Sequence, residues 1–270
     1  DPTDGPTDDT TDDTTDDTTD GPTDDPTDGP TDDTTDDTTD DTTFDITLRY
    51  QGDQVYYPVF EAAKEKWESI ITADIPDVAT SQGMIDDILI EAVVRHIDGP
   101  GGILGGAGPD ELRNESYLPA VGFMQFDEHD MDEMAENGIL EGVILHEMAH
   151  ALGFGTIWSY KYLIEGDQYV GTKAVEELNK LLGNSGVQIE QDFIQLETGG
   201  GPGTALGHWH EIQYDSEIMT GYAGSSMPMS GLTIGQFEDL GYTVDHSKNE
   251  VTYFHEINND WRADWADLIA

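Results

Sequence analysis

The run Gly138–Phe154 constrains this chain more than any other stretch, because it is apolar almost throughout and yet carries His146-Glu147-Met148-Ala149-His150. An α-helix completes a turn in about 3.6 residues, so positions 146 and 150 share one face and both imidazoles can reach one metal ion. Glu147, beside the first histidine, can hold a water at that metal. The surrounding positions are Ile139, Leu140, Val143, Ile144, Leu145, Met148, Ala149, Ala151 and Leu152. A helix that is hydrophobic nearly all round is a buried helix. Burying two histidines and a carboxylate costs several kcal/mol unless a partner such as zinc is present.

Two histidines leave a hydrolytic zinc site one protein ligand short. In the compact form of this motif the third ligand lies six residues past the second histidine, after a glycine that breaks the helix. Here the glycine is Gly153, but the sixth position is Thr156, a poor zinc ligand. The remaining candidates are His96, His129, His208, His210, His246 and His255. His208 and His210 follow the glycine-rich run 199–204, whose backbone can approach a site closely, and spacing does not choose between them.

Charge is the strongest global feature. The 270 residues include 58 acidic and 10 basic side chains, a net charge of −48. The first 43 residues hold 18 of the aspartates and no Lys or Arg, so the remainder still carries 40 acidic against 10 basic groups. Such a surface repels nucleic acid and anionic lipid, and neither is expected as a partner. Its self-repulsion is relieved by concentrated salt, which is the pattern of a halophile. No run of 18 apolar residues exists, so no membrane insertion by the folded domain is expected. Cysteine is absent, so disulfides do not hold the fold and redox compartment is not readable. Residue 1 is Asp rather than Met, which reads as a processing or cloning boundary.

Residues 1–43 repeat Thr-Asp-Asp-Thr and Asp-Gly-Pro-Thr units. They offer no apolar side chain to a core and read as a disordered, self-repelling stalk or linker open to O-glycosylation. A calcium-binding repeat is the lesser alternative, since the fixed glycine and long spacing of a calcium loop are missing. Folded sequence begins at Phe44. Residues 44–50 and 88–97 read as strands, with Val121–Phe126 as a third strand at the sheet edge beside the site. Residues 58–71 read as an amphipathic helix, and Asp127 as the cap of a short helix ending at Asn137-Gly138. The stretches 98–102 and 105–109 read as loops. Alternating strands and helices in this half give a sheet with helices packed against it. Further on, 172–182 and 232–240 read as helices, each ended by glycine, and 197–207 as a glycine-rich loop. Phe254, Trp261 and Trp265 in the tail read as packing anchors.

The residues now described resemble the leishmanolysin-type metzincins, the M8 peptidase family. The likeness runs from about residue 100 to 245. It rests on the stretch 118–127, on Val143–Phe154, on Gly200-Gly201-Pro202-Gly203-Thr204 leading to His208-Trp209, on Glu217-Ile218-Met219, and on Phe237–Tyr242. That family delays the third ligand by an insertion, and its His-Trp pair maps the ligand to His208. Met219 matches the methionine of the Met-turn, an apolar floor beneath the metal. His210 becomes an outer or surface residue, and Tyr222 is an oxyanion candidate whose bland alternative is a packed tyrosine. Family members are often cysteine-rich; this chain has none, as fits a small relative from a halophilic archaeon.

The resemblance implies an α+β metzincin-type zincin fold. Residues 44–154 would form an N-terminal catalytic subdomain with a twisted mixed sheet and the zinc helix. Residues 155–270 would form a mostly irregular C-terminal subdomain with the third ligand and Met-turn. The implied activity is zinc-dependent endopeptidase, with one catalytic Zn2+, polypeptide substrates and a monomeric state. Glu147 would take a proton from the attacking water and pass it to the leaving amine. Val121, Phe123 and Gln125 would pair with an extended substrate. The alternatives are a non-catalytic surface or adhesion protein that keeps the zinc structurally, and a zinc aminopeptidase. An extracellular or cell-surface location, tethered through the stalk, is expected.

Overall fold

A computed structural model of the chain describes residues 42–187, 190–214, 216–224 and 226–252. The stalk, apart from its last two positions, lies outside the described residues, as do His255 and the tail anchors Phe254, Trp261 and Trp265. The first strand, β1 (Ile46–Gln51), alternates as its sequence predicts: Ile46 and Leu48 turn inward, Thr47 and Arg49 outward. Pro58 sits in the first turn of α1 (Tyr57–Ile70), where its missing N–H costs nothing, and the helix buries Phe60, Ala63, Trp67 and Ile70. A small antiparallel pair, β2 (Val78–Thr80) and β3 (Gly83–Ile85), leads into β4 (Ile88–Arg95). Then come β5 (Gly105–Leu112), β6 (Pro119–Asp127), α2 (Met131–Glu136) and the histidine-bearing α3 (Leu140–Ala151).

The main sheet has the strand order β1-β4-β6-β5. The first three strands run parallel, and β5 closes one edge antiparallel to β6. Ile88, Leu89 and Ile90 are all buried, as befits a central parallel strand covered on both faces. This is a mixed α+β architecture with a mixed sheet.

Three expectations are corrected here. Strand β6 is not an edge: it is paired on one side by β4 and on the other by β5, so the main chain of Val121, Phe123 and Gln125 is already committed. The edge beside the site is β5, whose Gly105-Gly106-Ala107-Gly108-Pro109 read as a loop. Glycine and proline depress strand propensity, but both are tolerated at a sheet edge. Asp127, for its part, does not cap α2, which begins four residues later. Its carboxylate is buried and accepts backbone N–H groups from Ile97, Asp98, Gly99 and His129.

The second half is built on α4 (Thr172–Asn184), the one-turn α5 (Glu211–Tyr214) and α6 (Gly231–Leu240). Three two-residue strands, at Ile164–Glu165, Gln168–Tyr169 and Ile194–Gln195, form a small antiparallel sheet. Gly183 lies within α4 rather than ending it. The first turn of α4 is satisfied by Asp239 of α6, whose carboxylate accepts from Lys173 N, Ala174 N and the Tyr169 hydroxyl. A buried seam holds α3 in place. Trp67 Nε1 donates to Leu145 O at 3.1 Å, and its ring meets Phe237 edge-on at 4.8 Å.

Candidate metal centre

Helix α3 is buried along almost its whole length, including Glu147 and His150, which are 8% and 7% exposed. Its end is set by Gly153 at φ 114°, where a side chain would be strained and would strike Ile157. The chain then passes Gly155, whose absent Cβ would stand 2.3 Å from the carbonyl oxygen of Gly207. Only glycine allows that approach, and it brings the end of α3 against the loop carrying His208. Glu197 shapes that loop: its carboxylate accepts from Thr198 N and Gly199 N, and its own N–H donates to His208 O at 3.0 Å.

His146, His150 and His208 converge. Their Nε2 atoms stand 3.0 Å (146 to 150), 3.1 Å (146 to 208) and 3.0 Å (150 to 208) apart. Each ring's other nitrogen meets a carbonyl: His146 Nδ1 meets Ile218 O at 2.7 Å, His150 Nδ1 meets Phe154 O at 2.9 Å, and His208 Nδ1 meets Thr204 O at 2.9 Å. A carbonyl only accepts, so each Nδ1 carries the proton and donates, and each Nε2 presents a bare lone pair. Burial, and for His146 and His150 also the neighbouring histidines, keeps all three rings neutral: His146 is pushed down to about 3, and His150 and His208 also lie below the usual range. Three bare lone pairs facing one point repel each other, and a cation at that point removes the repulsion. Three nitrogens held at about 2.0–2.1 Å from a tetrahedral zinc ion would be spaced by roughly 3.3 Å, so the donor set fits zinc. Burial alone raises Glu147 to about 8.

The turn that carries Ile218 O, the acceptor of His146, hangs on a buried carboxylate that sequence patterns did not single out for a role. Glu217 Oε2 accepts from Met219 N at 2.6 Å, and Oε1 from Ser230 N, Ser230 Oγ and Thr233 Oγ1. Ser230 Oγ already accepts from Leu232 N, and Thr233 Oγ1 from Trp209 Nε1, so both hydroxyl protons turn to Glu217. Every partner is a donor, which suits an ionised carboxylate; burial works against ionisation and raises the Glu217 pKa. The network joins the turn 217–220, the start of α6 and Trp209, the residue after His208. Trp209 N also donates to Met219 O at 3.0 Å, and its ring stacks on Trp158 and meets Phe154 edge-on. Met219 is fully buried one residue beyond the carbonyl that receives His146.

The other candidates fall elsewhere. His210 is half-buried, its N–H donates to Gln195 O, and it is not part of the three-histidine group. Tyr222 is 58% exposed. Thr156 donates to His150 O rather than facing the metal point. Of the edge strand, Gly105 lies against Glu147, with its Cβ position 3.2 Å from Glu147 Cγ, and Gly108 lies near Thr156. That proximity was hidden in the sequence because strand order is not a local property.

The fold and site together define an α+β protein with a buried three-histidine centre and an adjacent carboxylate. A family model described as leishmanolysin, peptidase M8, matches residues 66–259, and the chain belongs to that family. A leishmanolysin homolog of Crithidia fasciculata is 27% identical over 143 residues, which covers 50% of this chain and 21% of that protein. Leishmanolysin of Leishmania chagasi is 27% identical over 162 residues, 56% of this chain and 26% of that protein. The matched region thus spans about a quarter or less of either relative.

Replacing Glu217 with alanine leaves several buried donors without an acceptor and should cost about 3 kcal/mol or more in stability. It should also speed zinc loss to a chelator. Denaturant unfolding and a chelator-competition time course measure both; a loss under about 1 kcal/mol with unchanged zinc release would contradict the network's role.

Proposed function

We propose that this chain is a zinc-dependent endopeptidase. The observation that carries the reading is the buried Glu147, adjacent in sequence to one of three bare, converging imidazole nitrogens and packed against an open sheet edge. His146, His150 and His208 would hold the ion, with Met219 beneath it. Zinc, when bound, polarises the scissile carbonyl and lowers the pKa of water at the site. An opposite charge nearby favours the ionised form of Glu147, countering the burial that raises its pKa. Glu147 then takes a proton from the attacking water and delivers it to the nitrogen of the leaving amine, acting first as base and then as acid. The glycine-rich edge β5 lets an extended polypeptide approach closely, and main-chain pairing there holds the scissile bond beside Glu147.

The finer organisation belongs to the same proposal. Residues 44–154 and 155–270 form the two halves of a metzincin-type catalytic unit, monomeric, acting outside the cell or at its surface. Residues 1–43 serve as a tether. Two further readings of the same site, a structural zinc protein and an aminopeptidase, are separated by the tests below.

Glu147→Ala is expected to retain zinc while losing peptide cleavage by a factor on the order of 10² to 10⁴. Metal analysis and cleavage-site mapping on a mixed peptide library read both; unaltered cleavage, or cutting confined to amino termini, would refute the proposal. The surplus of acidic groups predicts a halophilic protein whose melting temperature rises from low salt to molar NaCl as repulsion is screened. Equal melting temperatures in the two would contradict that.

A further inference from the structure

A second group of metal-binding side chains stands where β4 and β6 leave the sheet. His96 follows β4, and Glu128 and His129 follow β6; one ligand atom from each lies within 4.8 Å of the others. His96 Nδ1 and His129 Nδ1 face each other at 3.4 Å. His129 Nδ1 is also 3.1 Å from Asp127 Oδ1 and 4.0 Å from Glu128 Oε1.

The main chain under these side chains is rigidly built. Arg95 and Asp127 are register partners in the parallel pair, and Glu128 N donates to Arg95 O at 3.0 Å. The buried Asp127 carboxylate then grips both exits. Its Oδ2 accepts from Ile97 N, Asp98 N and Gly99 N at 2.9, 2.7 and 2.8 Å, and its Oδ1 accepts from His129 N at 2.8 Å. All four contacts are donated N–H groups, the surroundings that suit an ionised carboxylate. One buried negative charge thus fixes the residue after His96 and His129 itself. The neighbouring guanidinium of Arg95 donates to Gln125.

We propose that His96, Glu128 and His129, backed by Asp127, form a second divalent-cation site. Two imidazoles and a carboxylate suit zinc or a similar borderline ion better than calcium or magnesium, which prefer all-oxygen shells. Binding at His129 Nδ1 requires the tautomer protonated at Nε2. The Nδ1–H contact to Asp127 then gives way, and Asp127 Oδ1 is freed to face the cation. The His129 and Glu128 side chains are 44% and 53% exposed, so water completes the shell and the site is weaker than the buried centre. Its place in the fold gives it a consequence. Asp127 N donates to Leu104 O, one residue before Gly105, which lies against Glu147. A cation here would staple the start of the loop that feeds the edge strand to the end of β6, whose Asp127 N already holds the loop's far end at Leu104.

The test is a zinc titration of the metal-stripped full chain in molar NaCl with excess magnesium, which occupies the general acidic surface. Wild type should bind two equivalents, one tight and one weaker. His96→Ala/His129→Ala should keep the tight equivalent, lose the weaker one, and lose the rise in melting temperature that accompanies it. Glu128→Gln should weaken the second equivalent several-fold and leave the first unchanged. Equal melting temperatures of wild type and double variant in chelator establish that the substitutions leave the fold intact. Identical zinc uptake by wild type and the double variant would overturn the proposal.

Discussion

Three imidazole nitrogens with unprotonated lone pairs, each about 3 Å from the other two, form an arrangement that side chains avoid unless a cation sits among them. In this protein none of the three can escape by turning over its tautomer, because each Nδ1 is committed to a backbone carbonyl. Those carbonyls belong to Phe154, Thr204 and Ile218. The geometry of the centre is therefore a property of three separate pieces of main chain: the end of α3, the glycine-rich loop, and the turn 217–220. Much of the remaining architecture serves to keep these pieces together.

Each piece is secured by a different device. Gly153 terminates α3 in a left-handed conformation and delivers the Phe154 carbonyl. Close contact between Gly155 and Gly207 sets the loop against the helix, and Glu197 fastens the loop's own ends. Glu217 secures the turn and, through Thr233, reaches Trp209 beside the third histidine. Behind all three lies an aromatic core in which Phe154, Trp158 and Trp209 contact one another. The burial that stabilises this core also forces every polar group near it to be paired, and Glu217 meets that requirement with four donors.

How much of this could be read from the chain alone follows from which features are local. The α3 helix, its two histidines and its carboxylate were legible because a helical period and a short motif are written in consecutive residues. Helix α1 was legible from its inward Phe60, Ala63 and Trp67. Spacing did not fix the third histidine, since it left His208 and His210 level; only the family resemblance pointed to His208, which joins the pair in the fold. The order of strands was also invisible. Val121–Phe126 has the composition of an edge or a centre equally, and the true edge was disguised by Gly105, Gly106, Gly108 and Pro109. Asp127 looked like a helix cap because it precedes a helix, yet its partners lie about thirty residues back in the chain. Non-local partners of buried carboxylates leave no periodic trace.

The central claim is that one zinc ion is held by His146, His150 and His208. X-ray absorption at the zinc edge, on protein loaded with a single equivalent, measures that shell directly. Three imidazole nitrogens at about 2.0–2.1 Å are predicted for wild type, falling to two in His208→Ala. The same number of imidazoles in both proteins would contradict it.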